Sequence, residues 1–181
     1  MDRYLDHVRT WHAALGIAED YAEVRGLSLQ LEAESLVPLG VDVLGRDQFA
    51  VASTADAWRQ MRDAAAQDGV TLQLVSAFRS VDYQAGLIRR KLDKGLVLDE
   101  ILRASAAPGY SEHHTGRALD LTTPGGEMLE DSFENTPAFA WLQQHADQYG
   151  FSLSFPRDNP QGFIYEPWHW CMLPRRRQIT G

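Results

Sequence analysis

Residues 111–120 read Ser111-Glu112-His113-His114-Thr115-Gly116-Arg117-Ala118-Leu119-Asp120. From Arg117 to Thr123 the chain alternates like a strand, with Leu119 and Leu121 on one face and Ala118, Asp120 and Thr122 on the other. His113 and Asp120 are seven positions apart, an odd offset that would send them to opposite faces of a continuous strand. Gly116 is the natural bend between them. His113 is then expected in a loop entering the sheet and Asp120 on the strand proper, both facing one cleft. Either residue alone is more often a hydrogen-bonded turn histidine or an amide-capping carboxylate.

A second segment, Glu166-Pro167-Trp168-His169-Trp170, poses the same problem, because Glu166 and His169 are three apart. Pro167 interrupts the strand and pushes its predecessor to extended geometry. Glu166 is therefore expected to end a strand while Trp168-His169-Trp170 turns back toward the cleft, with both tryptophans packing in the core. Together the segments offer two imidazoles, one carboxylate ligand and one spare carboxylate, which is the parts list of a catalytic zinc site. A third segment, Ser76-Ala77-Phe78-Arg79-Ser80, places Arg79 between a strand end and a helix start. A fixed guanidinium there can hold a substrate carboxylate or a developing anion; alone, it is as readily an arginine paired with a neighbouring acid.

Composition narrows the class. The 181 residues are 44% hydrophobic, enough to bury a real core as one domain. A net charge of −8 argues against nucleic-acid binding, and the basic run Arg175-Arg176-Arg177 is expected to be a solvated tail. The single cysteine, Cys171, excludes an internal disulfide and a multi-thiolate metal site, so a metal must be held by nitrogen and oxygen; Cys171 itself is expected in the core. The N-terminus has no secretory pattern and no segment is long enough to span a bilayer. As written, a cytoplasmic location is expected, or a periplasmic or extracellular one if a leader precedes it.

The element pattern predicts an α+β domain, a small, mostly antiparallel sheet flanked by helices. Helices are expected over Asp2 to Ala14 and Ala18 to Val24, with stops at Gly16 and Gly26. Pro38 to Asp47 reads as turns. A helix capped within Ser53-Thr54-Ala55-Asp56 runs to about Gln67, before a strand over Val70 to Val75. Helices follow over Val81 to Lys94, Asp99 to Ala104 and Pro137 to Tyr149, the last capped by Asn135 or Thr136. Closing strands are expected near Phe151 to Phe155 and Phe163 to Tyr165 and beyond.

Ser-Ala-Phe-Arg-Ser with Gln84, Pro-Gly-Tyr-Ser-Glu-His-His-Thr-Gly-Arg-Ala-Leu-Asp-Leu and Glu-Pro-Trp-His-Trp occur here in the order of a known family. From about Val70 to Trp170 the chain resembles the VanY-type D-alanyl-D-alanine carboxypeptidases, zinc peptidases related to D-Ala-D-Ala dipeptidases and peptidoglycan L,D-carboxypeptidases. The resemblance implies the hedgehog and D-Ala-D-Ala peptidase-like fold, as a single zinc peptidase domain over 1–181, with an N-terminal helical portion (1–50) and a catalytic core (70–170). It also implies Zn²⁺ held by His113, Asp120 and His169, Glu166 as catalytic base, and Arg79 as the residue that anchors substrate or stabilises the transition state. Gln84 and Ser111 would line the substrate cleft. His114 adjoins the motif histidine but falls one place beyond it. Where the family often continues with Arg-Tyr, this chain has Cys171-Met172, which leaves substrate preference open.

The implied partner is a peptidoglycan stem peptide or muropeptide, hydrolysed next to a C-terminal D-amino acid. L,D-carboxypeptidase and endopeptidase action on muropeptides are alternatives within the enzyme class. Outside it stand a non-catalytic zinc-bearing binding module, as the hedgehog amino-terminal domain is thought to be, and a metal-free domain with incidental motifs. Glu166 together with Arg79 favours the enzyme, since neither is needed merely to hold a metal.

Overall fold

The computed structural model describes residues 1–173, so the Arg175-Arg176-Arg177 run lies outside the described residues. Two helices open the chain, α1 (Asp2–Leu15) and the single-turn α2 (Tyr21–Val24), shorter than its periodicity predicts. Gly16 ends α1 in the left-handed conformation. A hairpin of β1 (Val37–Val41) and β2 (Asp47–Ala50) follows, then α3 (Ala52–Gln67), β3 (Gln73–Ser76), α4 (Val81–Asp93) and α5 (Leu98–Ala104). The second half holds β4 (Ala118–Thr122), α6 (Pro137–His145), β5 (Phe151–Leu153) and β6 (His169–Met172).

Strands β3, β4, β6 and β5 form one antiparallel sheet in that order. The α+β expectation holds, and both faces of β4 are buried. Leu119, Leu121 and Trp170 pack in a core with Trp58 and Met61 of α3, Phe139 and Leu142 of α6, and Trp168. A second cluster joins Leu15 and Ile17 to Ala85 and Ile88 of α4 and Ile101 and Leu102 of α5. Both tryptophans of the second motif are core residues, as their neighbourhood predicts.

Strand β3 starts at Gln73 rather than Val70 and β5 ends at Leu153 rather than Phe155; four further expectations fail for identifiable reasons. Residues 37–50 belong to a β-hairpin rather than to turns within a helical portion. Pro38 and Gly40 obscure it in the sequence, yet proline is tolerated on a strand that needs only one ladder. The turn is built around the buried Asp42, whose carboxylate accepts hydrogen bonds from the amides of Leu44 (2.8 Å) and Arg46 (3.0 Å), Arg46 Nε (2.6 Å) and Gln48 Nε2 (2.9 Å).

The start of α3 also differs, because Val51 rather than a residue of Ser53–Asp56 takes the N-cap position, without a side-chain hydrogen bond. Its amide is held by the Gly116 carbonyl at 3.1 Å, so a tertiary contact sets where this helix begins. Helix α6 keeps its expected Thr136 cap, whose hydroxyl accepts from the Phe139 amide, but ends at His145 and tightens into a 3₁₀ turn over Ala146–Tyr149.

Finally, Phe163 to Tyr165 is not a strand. The Asn159 side chain takes both the amide and the carbonyl of Phe163, and the amides of Ile164 and Glu166 bond to the carbonyls of Arg103 and Phe155. With those backbone groups satisfied, no sheet partner is required. The strand starts only after the Pro167–Trp168 turn, at His169.

The hairpin braces the edge of the sheet nearest the motif residues. Arg46 Nη2 donates to the Val75 carbonyl at 3.0 Å, Gln48 Oε1 accepts from the Ala77 amide at 2.9 Å, and Val43 N donates to the Leu74 carbonyl at 3.0 Å. There β3 carries a bulge, pairing Leu74 with Leu121 but Ser76 with Asp120. Burial alone would raise the Asp42 carboxyl, but the bonds from the Arg46 and Leu44 amides and the Arg46 guanidinium outweigh it and hold the pKa below the usual value. The depressed pKa means Asp42 stabilises the fold above the unfolded carboxylate pKa, and the contribution disappears as pH falls through the folded one. Asp42→Ala should therefore cost roughly 2 kcal/mol. In urea unfolding, the wild-type advantage should stay level from neutral pH to about pH 5 and shrink below about pH 4; a pH-independent difference would contradict this role.

Candidate metal centre and cleft

Asp120 and His169 sit directly opposite each other in the β4–β6 ladder, as do Leu119 and Trp170 one position earlier. Facing residues of an antiparallel pair share a face. The leucine–tryptophan pair therefore points into the core while Asp120 and His169 point together to the other side. His113 reaches that side from a single 3₁₀ turn, Glu112–Thr115, which Gly116 closes with φ +65°. The bend expected at Gly116 is where the chain turns, and a 3₁₀ turn takes the place of the expected loop.

One oxygen of Asp120 lies 3.2 Å from His113 Nε2 and the other 3.0 Å from His169 Nδ1. The donor atoms of His113, Asp120 and His169 all lie within 4.8 Å of one another, and all three residues are buried. His113 Nδ1–H donates to the Ala77 carbonyl at 2.5 Å, which leaves Nε2 as a bare lone pair. That atom is buried without a hydrogen-bond partner among the described residues. An orphaned nitrogen facing a carboxylate is costly unless a cation stands between them. Two imidazole nitrogens and one carboxylate oxygen suit zinc with a position left open.

The surrounding charges are strongly coupled. Burial would raise the Asp120 carboxyl, but His113, His169 and the Arg79 guanidinium hold it well below the usual carboxylate range. Glu166, buried beside the cluster with an oxygen 3.9 Å from His169 Nδ1, is raised to about 7, chiefly by desolvation. That is the range in which a carboxylate exchanges protons most effectively near neutral pH. The Pro167 turn keeps Glu166 beside the three donor residues, though it leaves an irregular segment rather than a strand.

Arg79 follows the β3 bulge, with Nη2 3.4 Å from Asp120 and Nε buried without a hydrogen-bond partner among the described residues. Its backbone is fixed from both sides: its amide bonds to the His113 carbonyl at 3.3 Å, and its carbonyl accepts from His114 Nδ1 at 2.6 Å. His114 Nε2 in turn accepts from the Gly109 amide at 3.1 Å. Both ring nitrogens are thus occupied, and burial, more than the neighbouring charges, lowers its pKa to about 4. His114 is a neutral brace behind Arg79, and His113 is the histidine that faces the cluster.

Gln84 and Ser111 line the same small pocket as Arg79, His113, Glu166 and His169. Gln84 Nε2 donates to the Ala106 carbonyl at 2.7 Å, and its Oε1 is left buried without a partner among the described residues. An adjoining cavity of about 320 Å³ is bordered by Arg46, Arg79, Lys91, Asp120 and Glu166. Lys91 and Glu112 were not singled out in the sequence. Nothing marks Lys91 on an amphipathic helix, whereas the adjacency of Glu112 to His113 was a usable signal. Glu112 Oε2 lies 2.8 Å from His169 Nε2. Cys171 is buried on β6, and burial together with the Glu112 charge pushes its thiol up.

The family model described as VanY, D-alanyl-D-alanine carboxypeptidase, matches residues 49–175. The chain is 37% identical to a putative carboxypeptidase, YodJ, of Bacillus subtilis (strain 168), over 64% of this chain and 43% of the relative. It is 30% identical to a D-alanyl-D-alanine carboxypeptidase of Enterococcus faecium, over 72% of this chain and 39% of the relative. It thus spans about two-fifths of the length of these two curated relatives. Among solved structures, that of the LdcB LD-carboxypeptidase, described as revealing the basis of peptidoglycan recognition, superposes with a TM-score of 0.71 at 31% identity. The match covers 81% of this chain and 72% of that one.

A side chain at Gly116 would place its Cβ 3.0 Å from the Val51 amide nitrogen and 3.1 Å from Leu36, in a left-handed conformation. Gly116→Ala should therefore lose about 1–2 kcal/mol, read as a lowered thermal midpoint. An unchanged midpoint would mean that the turn does not depend on glycine.

Proposed function

We propose that this chain, which belongs to the VanY D-alanyl-D-alanine carboxypeptidase family, is a zinc-dependent peptidase that hydrolyses the bond next to a C-terminal D-amino acid in peptidoglycan stem peptides. The observation that carries the proposal is the buried set His113, Asp120 and His169 with an orphaned nitrogen, placed beside a carboxyl group that none of the three needs. In this reading the three residues would hold zinc, which would supply Lewis acidity toward the scissile carbonyl and lower the pKa of a bound water from ~16 toward ~7.

Glu166 accepts a proton from the attacking water and returns it to the leaving amine. Arg79, anchored through its backbone and close to Asp120, offers its guanidinium to the substrate carboxylate or to the developing oxyanion. Gln84, whose carbonyl oxygen has no partner among the described residues, and Ser111 line the wall of the cleft and receive the peptide. Organisation follows the same proposal, with residues 70–170 as the catalytic core of one peptidase domain and the hairpin over 37–50 as its brace.

A second reading, removal of a D-residue from an L,D bond, is favoured by the likeness to the LdcB LD-carboxypeptidase. Both reactions use the same donors and base and differ in the cleft walls. A non-catalytic zinc module would have no use for Glu166 and Arg79 in their present positions. Among the described residues no helix is long and apolar enough to cross a membrane.

Defined tri-, tetra- and pentapeptide stems, with products read by mass spectrometry, test the proposal. Trimming of the pentapeptide by one D-alanine is expected; conversion of tetrapeptide to tripeptide would establish the L,D reading, and no product from any stem would sink both. Chelation should abolish turnover and added zinc restore it. Glu166→Ala should retain zinc, measured by elemental analysis, while kcat falls ~10²–10⁴-fold. Near wild-type turnover in that variant would assign the base elsewhere.

A further inference from the structure

We infer that Glu112 is a positioning residue that orients the His169 ring for metal binding, held in place by Ser154. The inference rests on the zinc reading above and extends it to residues outside the donor set. His169 presents Nδ1 toward Asp120 Oδ1 at 3.0 Å, while its other nitrogen, Nε2, meets Glu112 Oε2 at 2.8 Å. Both carboxylates only accept, so the metal-free ring can carry a proton at each nitrogen. A metal taking the place of the Nδ1 proton leaves the remaining proton at Nε2, where Glu112 holds it, and the Nδ1 lone pair is then the one offered beside Asp120 and His113. Carboxylates behind metal-binding histidines fix ring orientation and tautomer in this way, and their loss typically weakens metal binding ~10–100-fold.

Glu112 is itself constrained. Ser154 Oγ, just past the end of β5, donates to the same Oε2 at 2.6 Å. The Cys171 thiol, two residues beyond His169 on β6, borders the same carboxylate. The His169 ring is packed by Phe155 at a centroid distance of 4.9 Å, tilted by 39°, and meets His113 edge-on at 4.9 Å. Packing against these rings sets the plane of the imidazole. It does not choose between the two in-plane orientations, and the bond to Glu112 does.

The arrangement concentrates two tasks in a single 3₁₀ turn. Its residue Glu112 orients the donor on β6, and the next residue, His113, is itself a donor whose own remote nitrogen is held by Ala77. Each histidine therefore has the nitrogen away from the cluster tied down, one by a backbone carbonyl and the other by a carboxylate.

Zinc affinity measured by chelator competition tests this on the whole chain, without recourse to activity. Wild type is compared with Glu112→Ala, Glu112→Gln and Ser154→Ala, with thermal midpoints taken metal-free. Glu112→Ala should bind zinc ~10–100-fold more weakly. Glu112→Gln keeps an acceptor oxygen in place and should recover most of that loss. Affinity in Glu112→Ala within twofold of wild type overturns the inference, as does a glutamine variant no better than the alanine one. If Glu112→Ala does not fold, Ser154→Ala decides: a loss of ~threefold or more supports the role and an unchanged affinity refutes it. Wild-type protein that takes up no zinc would instead overturn the proposed function itself.

Discussion

The direct pairing of Asp120 with His169 in the β4–β6 ladder is the constraint from which the rest of the centre follows. Because antiparallel partners share a face, the same register that aligns these two buries Leu119 against the neighbourhood of Trp170 on the opposite side. A slip of one residue would exchange the two sets, sending a carboxylate and an imidazole into the hydrophobic core. Core packing and site geometry are therefore enforced by one register. The apolar residues supply most of the free energy, and the polar ones take their positions from it.

Burying this many ionisable groups is unfavourable unless they compensate one another. Asp120 stays ionised beside the Arg79 guanidinium and the His169 ring, whose pKa its two carboxylate partners raise to about 10 against burial, whereas Glu166, with less compensation, is pushed toward neutrality. Two carboxyl groups in one cleft are thus driven apart in proton affinity, one suited to hold a cation and the other to move a proton. The orphaned Nε2 of His113 belongs to the same balance. It is a deficit within the folded chain that a bound cation removes.

Much of the remaining structure holds these groups still. The hairpin reaches over the β3 bulge through Arg46 and Gln48, His114 ties the Arg79 carbonyl to Gly109, and Gly116 joins the His113 turn to the start of α3. None of these braces is itself one of the three donor residues. They resist the small displacements that would loosen a site of this kind.

The clustering of His113, Asp120, Glu166 and His169 was largely legible in the sequence because these residues travel in short motifs whose offsets demand bends, and Gly116 and Pro167 are visible as the means of bending. The main helices were legible too, from apolar periodicity and from the Ser80 and Thr136 caps. What could not be read was decided by partners distant in the chain. The 37–50 hairpin exists because the buried Asp42 carboxylate collects donors from an otherwise exposed turn, and the strand expected at Phe163 is replaced by side-chain bonds from Asn159. His114 became a brace and Glu112 an orienting carboxylate for the same reason. By itself the sequence determined the residue types, their local bends and the family, since these are properties of contiguous segments. Only the tertiary structure decided which nitrogen of each histidine faces the cluster and which groups stand behind it, because those depend on hydrogen bonds between residues as far apart as Glu112 and His169.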